Sequence, residues 1–268
     1  MQKNIKKENL MKSIMIAFAI FFIIVAPCSS APIQDDIKKD TTVLVETIIF
    51  EDDFNNGILD PEKWTMIGNG GGGGTVEVVN GQLEIQCYEG NPTNWIGVQS
   101  RSFGGKITEE EPLIISLQMK THISHHNGYV GNQNIRITDG TNSIHVGYFR
   151  FSDELQVYDS SGNSIVLFNS EETSLAWPVE IQIYYTGGYK VTVAGYETAV
   201  NESVISGTSF IIELVMSING DFPSYWWRCA FDDVKAQDVS ICKSYIYSKC
   251  ENSKIMAKEA LKHLQCIQ

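Results

Sequence analysis

Basic residues are scarce in this chain. Its 268 residues carry 20 Lys and Arg against 32 Asp and Glu, a formal charge of −12. A nucleic-acid binder needs a basic face, so that class is excluded as a partner. Attachment to anionic lipid by charge is excluded for the same reason. Charged residues of either sign make up only 19%, while apolar residues reach 43%. That balance fills a core and rules out a disordered chain. Up to about residue 240 there is no amphipathic run of helical length. The 22 Gly and the 10% aromatic content lean toward a β-rich fold.

Long apolar runs are also missing, with one exception. Ile14 to Ala26 is apolar, follows Lys3, Lys6, Lys7 and Lys12, and precedes Ser29, Ser30 and Ala31. The run is shorter than the ~20 residues that span a bilayer. A basic head, a short apolar middle and a small-residue exit predict a secretory signal over residues 1–30. The expected location is therefore secreted or cell-surface. Removing that segment takes away four Lys and one Glu, leaving 16 basic against 31 acidic residues, a charge near −15.

Cysteines are few. Without Cys28 there remain Cys87, Cys229, Cys242, Cys250 and Cys266, and no pair has zinc-finger spacing. Export permits disulfides, and the odd count leaves one thiol free or paired between chains. All five are disulfide candidates, with a disulfide-linked oligomer through the tail as one outcome.

What is present is alternation. Residues 31–45 are expected to be a flexible lead-in. In the following stretch Leu113, Ile115, Leu117 and Met119 share one parity, and Ser116, Gln118 and Lys120 the other. Val179, Ile181 and Ile183 repeat this, turn at Thr186-Gly187-Gly188, and continue in Tyr189, Val191 and Val193. Ile135 and Ile137 face Ile144, Val146 and Tyr148 across Asp139-Gly140-Thr141-Asn142. Period-two runs joined by Gly turns are β-hairpins. Residues 68–74 are nearly all Gly but lack a following Lys-Ser/Thr, which rules out a phosphate loop. From Ser253, apolar positions near helical spacing predict a short helix within a tail over residues 240–268.

The segment from Phe50 to Trp64, Phe-Glu-Asp-Asp-Phe-Asn-Asn-Gly-Ile-Leu-Asp-Pro-Glu-Lys-Trp, resembles the opening of concanavalin A-like lectin/glucanase jelly rolls. Val76 to Ile85, with Asn80-Gly81 at its turn, resembles the next hairpin. Trp177–Gly195 and Phe231-Asp232-Asp233-Val234 resemble the late hairpin and closing strand. The resemblance covers residues 46–239. It implies an all-β antiparallel jelly-roll β-sandwich, here with a short C-terminal helical tail. It also implies a structural Ca²⁺ where first and last strands meet, with Asp52, Asp53, Asp232 and Asp233 as matching carboxylates.

Function within that superfamily includes enzymes, lectins and adhesion modules. Its retaining glucanases carry Glu-x-Asp-x-x-Glu on one strand, which places the acid and nucleophile on one face. That spacing is absent here, so no residue is assigned as catalytic. Glu109-Glu110-Glu111 runs into Pro112, and Asp153-Glu154 and Glu171-Glu172 are adjacent pairs whose members diverge on a strand. The expected function is a non-catalytic carbohydrate-binding or adhesion module for a polysaccharide or glycoconjugate. A hydrolase with an unrecognised carboxylate pair and a disulfide-linked surface protein are the alternatives. Flat rings suit the apolar faces of sugars. Trp95, Tyr129, His145, Tyr148 and Trp226 are therefore the candidate contacts. Asn201-Glu202-Ser203 is a glycosylation sequon at Asn201.

Overall fold

The computed structural model describes residues 39–69, 74–88, 94–105, 107–108, 111–122, 130–149, 152–169, 176–219 and 226–246. Sixteen strands lie among them: β1 (Lys39–Asp52), β2 (Trp64–Gly68), β3 (Gly74–Val79), β4 (Gln82–Tyr88), β5 (Asn94–Ser100), β6 (Phe103–Gly104), β7 (Leu113–His122), β8 (Val130–Thr138), β9 (Ser143–Phe149), β10 (Glu154–Asp159), β11 (Ser164–Asn169), β12 (Ala176–Ile183), β13 (Tyr189–Val193), β14 (Tyr196–Val200), β15 (Ser209–Asn219) and β16 (Trp226–Ile246). No helix occurs among the described residues, and the predicted tail helix lies outside them. The chain divides into two units, Val43–Cys242 and Met1–Thr42 with Lys243–Gln268. The first carries the sandwich.

Two eight-stranded sheets form it. Sheet A has the order β14-β13-β12-β7-β16-β4-β3, with β1 paired to β16. Sheet B has the order β11-β10-β9-β8-β15-β5-β2, with β6 paired to β15. The recorded strand pairings are antiparallel. This is the sandwich the alternation predicts, in the jelly-roll form the resemblance implies. Inward positions carry the apolar parity: Leu113, Ile115 and Ile181 from sheet A and Ile135, Val146 and Leu214 from sheet B are all fully buried. Each such side chain contributes ~1.5–3 kcal/mol when taken from water.

The strand ends differ from expectation. β1 begins at Lys39, inside the stretch expected to be a flexible lead-in, and β16 continues past 239 to Ile246. Thr41, Thr42, Val43 and Val45 are β-branched, which suits an extended segment.

The opening motif has a physical explanation. Asp52 is 4% exposed. Its Oδ1 accepts the Phe54 N–H at 3.0 Å and its Oδ2 accepts the Trp64 indole N–H at 2.8 Å. Lys63 Nζ lies 3.9 Å away and donates to the Glu51 carbonyl. This fixes Trp64 edge-on to Phe50, with ring centres 5.3 Å apart, and Phe50 stacks on Phe103 at 5.5 Å. At Asn80-Gly81 both residues have positive φ, 52° and 77°, as a two-residue hairpin turn requires.

Candidate functional site

The outward face of sheet B carries three rows of side chains that cross its strands. Gln99, Glu213, Arg136, His145 and Tyr158 lie in register from β5 through β15, β8 and β9 to β10. Gly97, Val215, Asn134, Gly147 and Gln156 form the middle row. Trp95, Ser217, Asn132, Phe149 and Glu154 form the third. Alternation puts them outward because Leu214, Ile135, Val146 and Val157 occupy the inward parity.

Three rings make a platform on β9 and β10. His145 stacks on Tyr158 with centroids 4.4 Å apart and planes 13° apart. Phe149 lies 5.9 Å from Tyr158. Gly147 beneath them explains the arrangement: a Cβ there would come within 2.9 Å of the Phe149 ring and 3.4 Å of Tyr158. The bare backbone lets both rings lie down against the sheet.

Polar groups hold the platform. Asn134 Nδ2 donates to the Tyr158 hydroxyl and faces His145 Nδ1 at 3.3 Å. Ser143 Oγ lies 2.8 Å from His145 Nε2. Burial, reinforced by the Arg136 charge and opposed by Asp159, lowers the His145 pKa to about 4. Neutral His145 therefore accepts at Nδ1 and donates from Nε2 to Ser143. Burial also raises the Tyr158 pKa. Asn134 Oδ1 and Arg136 Nε are buried and have no hydrogen-bond partner among the described residues.

The His145 shift has a consequence for stability. The unfolded chain titrates this imidazole near ~6.5, above the folded value, so the unfolded state binds the extra proton first. Stability from His145 is complete above ~6.5 and falls as pH drops toward the folded value of about 4. Urea melts from pH 7 to pH 4 should show that fall, and His145→Asn should flatten it; equal slopes in both proteins contradict the assignment.

The carboxylates on this face are engaged. Arg136 Nη1 pairs with Glu213 Oε2 at 3.1 Å, and Gln156 Nε2 donates to Glu154. β15 and β10 are three strand spacings apart, about 14 Å at ~4.8 Å per strand. A glycosidase pair stands ~5–9.5 Å apart.

The candidate residues divide. Trp95 and His145 lie on this face, with Trp95 37% exposed. Tyr148 does not. It is 2% exposed, packs on Trp177 at 5.2 Å and donates to Asp153. It shares the inward parity of Ile144 and Val146, and that parity was legible. Its neighbour Phe149 points outward instead, and Phe149 and Tyr158 are the ring contacts that sequence reasoning missed. Tyr129 lies outside the described residues. Trp226 opens β16, and its side chain lies outside them too.

Among the carboxylates matched to calcium, burial first and then the nearby charges of Asp233 and Asp53 raise the Asp232 pKa. Both Asp52 oxygens are taken by Phe54 and Trp64. Asp53 is exposed and accepts the Asn55 N–H, while Asp232 accepts from Gln82 and from the Asp233 N–H. Among the described residues no group of three or more His, Cys, Asp or Glu is placed to hold a metal ion. Cys87 and Cys229 are buried thiols on adjacent strands, and no disulfide is formed among the described residues. Burial raises the Cys87 pKa to about 11 and the Cys229 pKa further. Cys242 lies on β16 with its side chain outside the described set, and Cys250 and Cys266 lie outside it. Asn201 and Ser203 of the sequon are exposed.

A shallow hollow of about 300 Å³ opens on the outward face of sheet A, between Ser116, Gln118, Pro178, Glu180, Thr192 and Asp233. It contains no aromatic ring, and the ring platform of sheet B lies elsewhere.

No protein-family model matches the sequence, and no curated protein matches it. Solved structures do match. The endo-1,3-β-glucanase from Streptomyces sioyaensis aligns with TM-score 0.55 at 13% identity, over 79% of this chain and 100% of that one. A prokaryotic β-1,3-1,4-glucanase (lichenase) derived from a mouse hindgut metagenome aligns with TM-score 0.52 at 14% identity, over 71% and 99%. The CBM2 module of the Lactobacillus casei BL23 phage J-1 evolved Dit aligns with TM-score 0.52 at 11% identity, over 73% and 97%. The fold is the concanavalin A-like jelly roll.

Proposed function

We propose that the chain is a secreted or surface-exposed, non-catalytic carbohydrate-binding module that takes a polysaccharide or glycoconjugate on the outward face of sheet B. One observation carries this reading. His145 stacked on Tyr158, with Phe149 tilted against Tyr158, lies beside amides and hydroxyls, with the nearby carboxylates already paired. Rings supply an apolar surface for sugar C–H faces, and the amides meet the hydroxyls. A β-1,3-glucanase and a CBM2 module on the same fold support a carbohydrate ligand. Export rests on the basic, apolar and small-residue pattern of residues 3–31.

The test is calorimetric titration against soluble β-1,3-glucan and β-1,3-1,4-glucan, followed by a broad glycan array. Binding is expected, and Tyr158→Ala should weaken it at least tenfold, about 1.4 kcal/mol. Reducing-sugar release should stay at background. A blank array overturns the reading, and sustained sugar release replaces it with the hydrolase.

A further inference from the structure

We infer that the sheet B face binds an extended, uncharged glycan chain laid across the strands, rather than a single terminal sugar; this rests on the reading above.

Three observations fix the direction and length. Trp95 and Phe149 stand in the same row, linked in register through Ser217 on β15 and Asn132 on β8. They are three strand spacings apart, about 14 Å at ~4.8 Å per strand. One pyranose ring cannot touch both. The residues between them are short and polar, Ser217 and Asn132, so nothing bulky interrupts the line. The middle row beside that line is low at Gly97 and Gly147, which carry no side chain, and nothing charged stands in it.

Charge fixes the class. Among the described residues of the three rows, Arg136 is the one cation, and Glu213 holds its guanidinium at 3.1 Å. His145 is neutral at neutral pH, with its pKa lowered to about 4 by burial first and by Arg136 second. The whole chain is acidic at −12. Among the described residues of these rows an acidic polysaccharide meets no uncommitted cation, and it is repelled by the protein's overall field. A neutral chain loses nothing on either count.

The experiment is a calorimetric series with linear β-1,3-gluco-oligosaccharides of increasing length, with alginate as the anionic comparison. Affinity should rise at least tenfold between the disaccharide and the first oligomer that reaches from Trp95 to Phe149, and then level off. Alginate should bind at least tenfold more weakly. Trp95→Ala should flatten the length dependence while weak binding of short oligomers remains, and Trp95→Phe should restore it. Trp95 is partly exposed, so circular dichroism should show both variants folded.

Equal affinity for short and long oligomers overturns the inference while leaving glycan binding intact. So does an unchanged length dependence in Trp95→Ala, or alginate binding as tightly as the glucan. Absence of binding by every probe removes both this inference and the reading beneath it.

Discussion

Gly97→Ala should cost at least about 3 kcal/mol of stability, near the upper end of overpacking penalties. Gly97 sits on β5, hydrogen-bonded between β2 and β15 inside sheet B. A Cβ at this position would lie 2.2 Å from the Leu214 carbonyl oxygen and 2.9 Å from the Val215 Cα. Both are backbone atoms of β15, which β8 fixes from its other side. No rotamer change relieves the clash, so two strands must separate. Urea denaturation should show the lower midpoint with little change in slope. Gly147→Ala is the instructive contrast. Its Cβ meets the ends of the Phe149 and Tyr158 rings, which can swing away. Stability should fall by less than in Gly97→Ala, while the tilted rings lose glycan binding. A Gly97→Ala protein within ~0.5 kcal/mol of the parent, the range of an innocuous surface change, contradicts this packing.

Asp52→Ala should destabilise the fold by about 2–3 kcal/mol. The carboxylate is buried and takes two N–H donors, from the Phe54 backbone and the Trp64 indole. Its removal leaves both donors buried and unpaired, which is the costly half of breaking a hydrogen bond. Asp52→Asn should recover only part of the loss, because an amide brings one acceptor and a donor that opposes the indole N–H. A cycle with Trp64→Phe isolates the pair. The double variant should be more stable than the sum of the single losses predicts, with a coupling of about 1 kcal/mol. Strict additivity contradicts the bond.

These two sites show how unevenly the fold was written in the sequence. Period two in β7, β8, β9, β12 and β13 was legible because one face of each strand is buried, and the buried parity is apolar but for residues such as Thr121 and Gln133. The Asn80-Gly81 turn was legible because its positive φ values demand such residues. The opening motif suggested the fold by resemblance, but not the reason for Asp52. Its bond to Trp64 spans twelve residues and depends on how the loop after β1 turns back.

The site was read less well. Trp95 and His145, named as candidate contacts without a face, lie on the outward face of sheet B. Tyr148 was named with them against its own parity, because ring chemistry was weighed above the pattern of Ile144 and Val146. Phe149 and Tyr158 were passed over because their partnership depends on the β9–β10 register, which pairs Tyr158 with His145 and Glu154 with Phe149. Register is a tertiary property that alternation within one strand does not determine. The engagement of Glu213 by Arg136, from β15 to β8, was hidden for the same reason.

The central claim is that the outward face of sheet B holds the glycan. Its most direct test is a nuclear magnetic resonance titration of the protein with a linear β-1,3-gluco-oligosaccharide. The account predicts that resonances of Trp95, Asn132, His145, Phe149 and Tyr158 shift together along one binding curve, while Gln118, Glu180 and Thr192 on sheet A stay fixed. Shifts confined to the sheet A hollow, with the sheet B rings unmoved, contradict it.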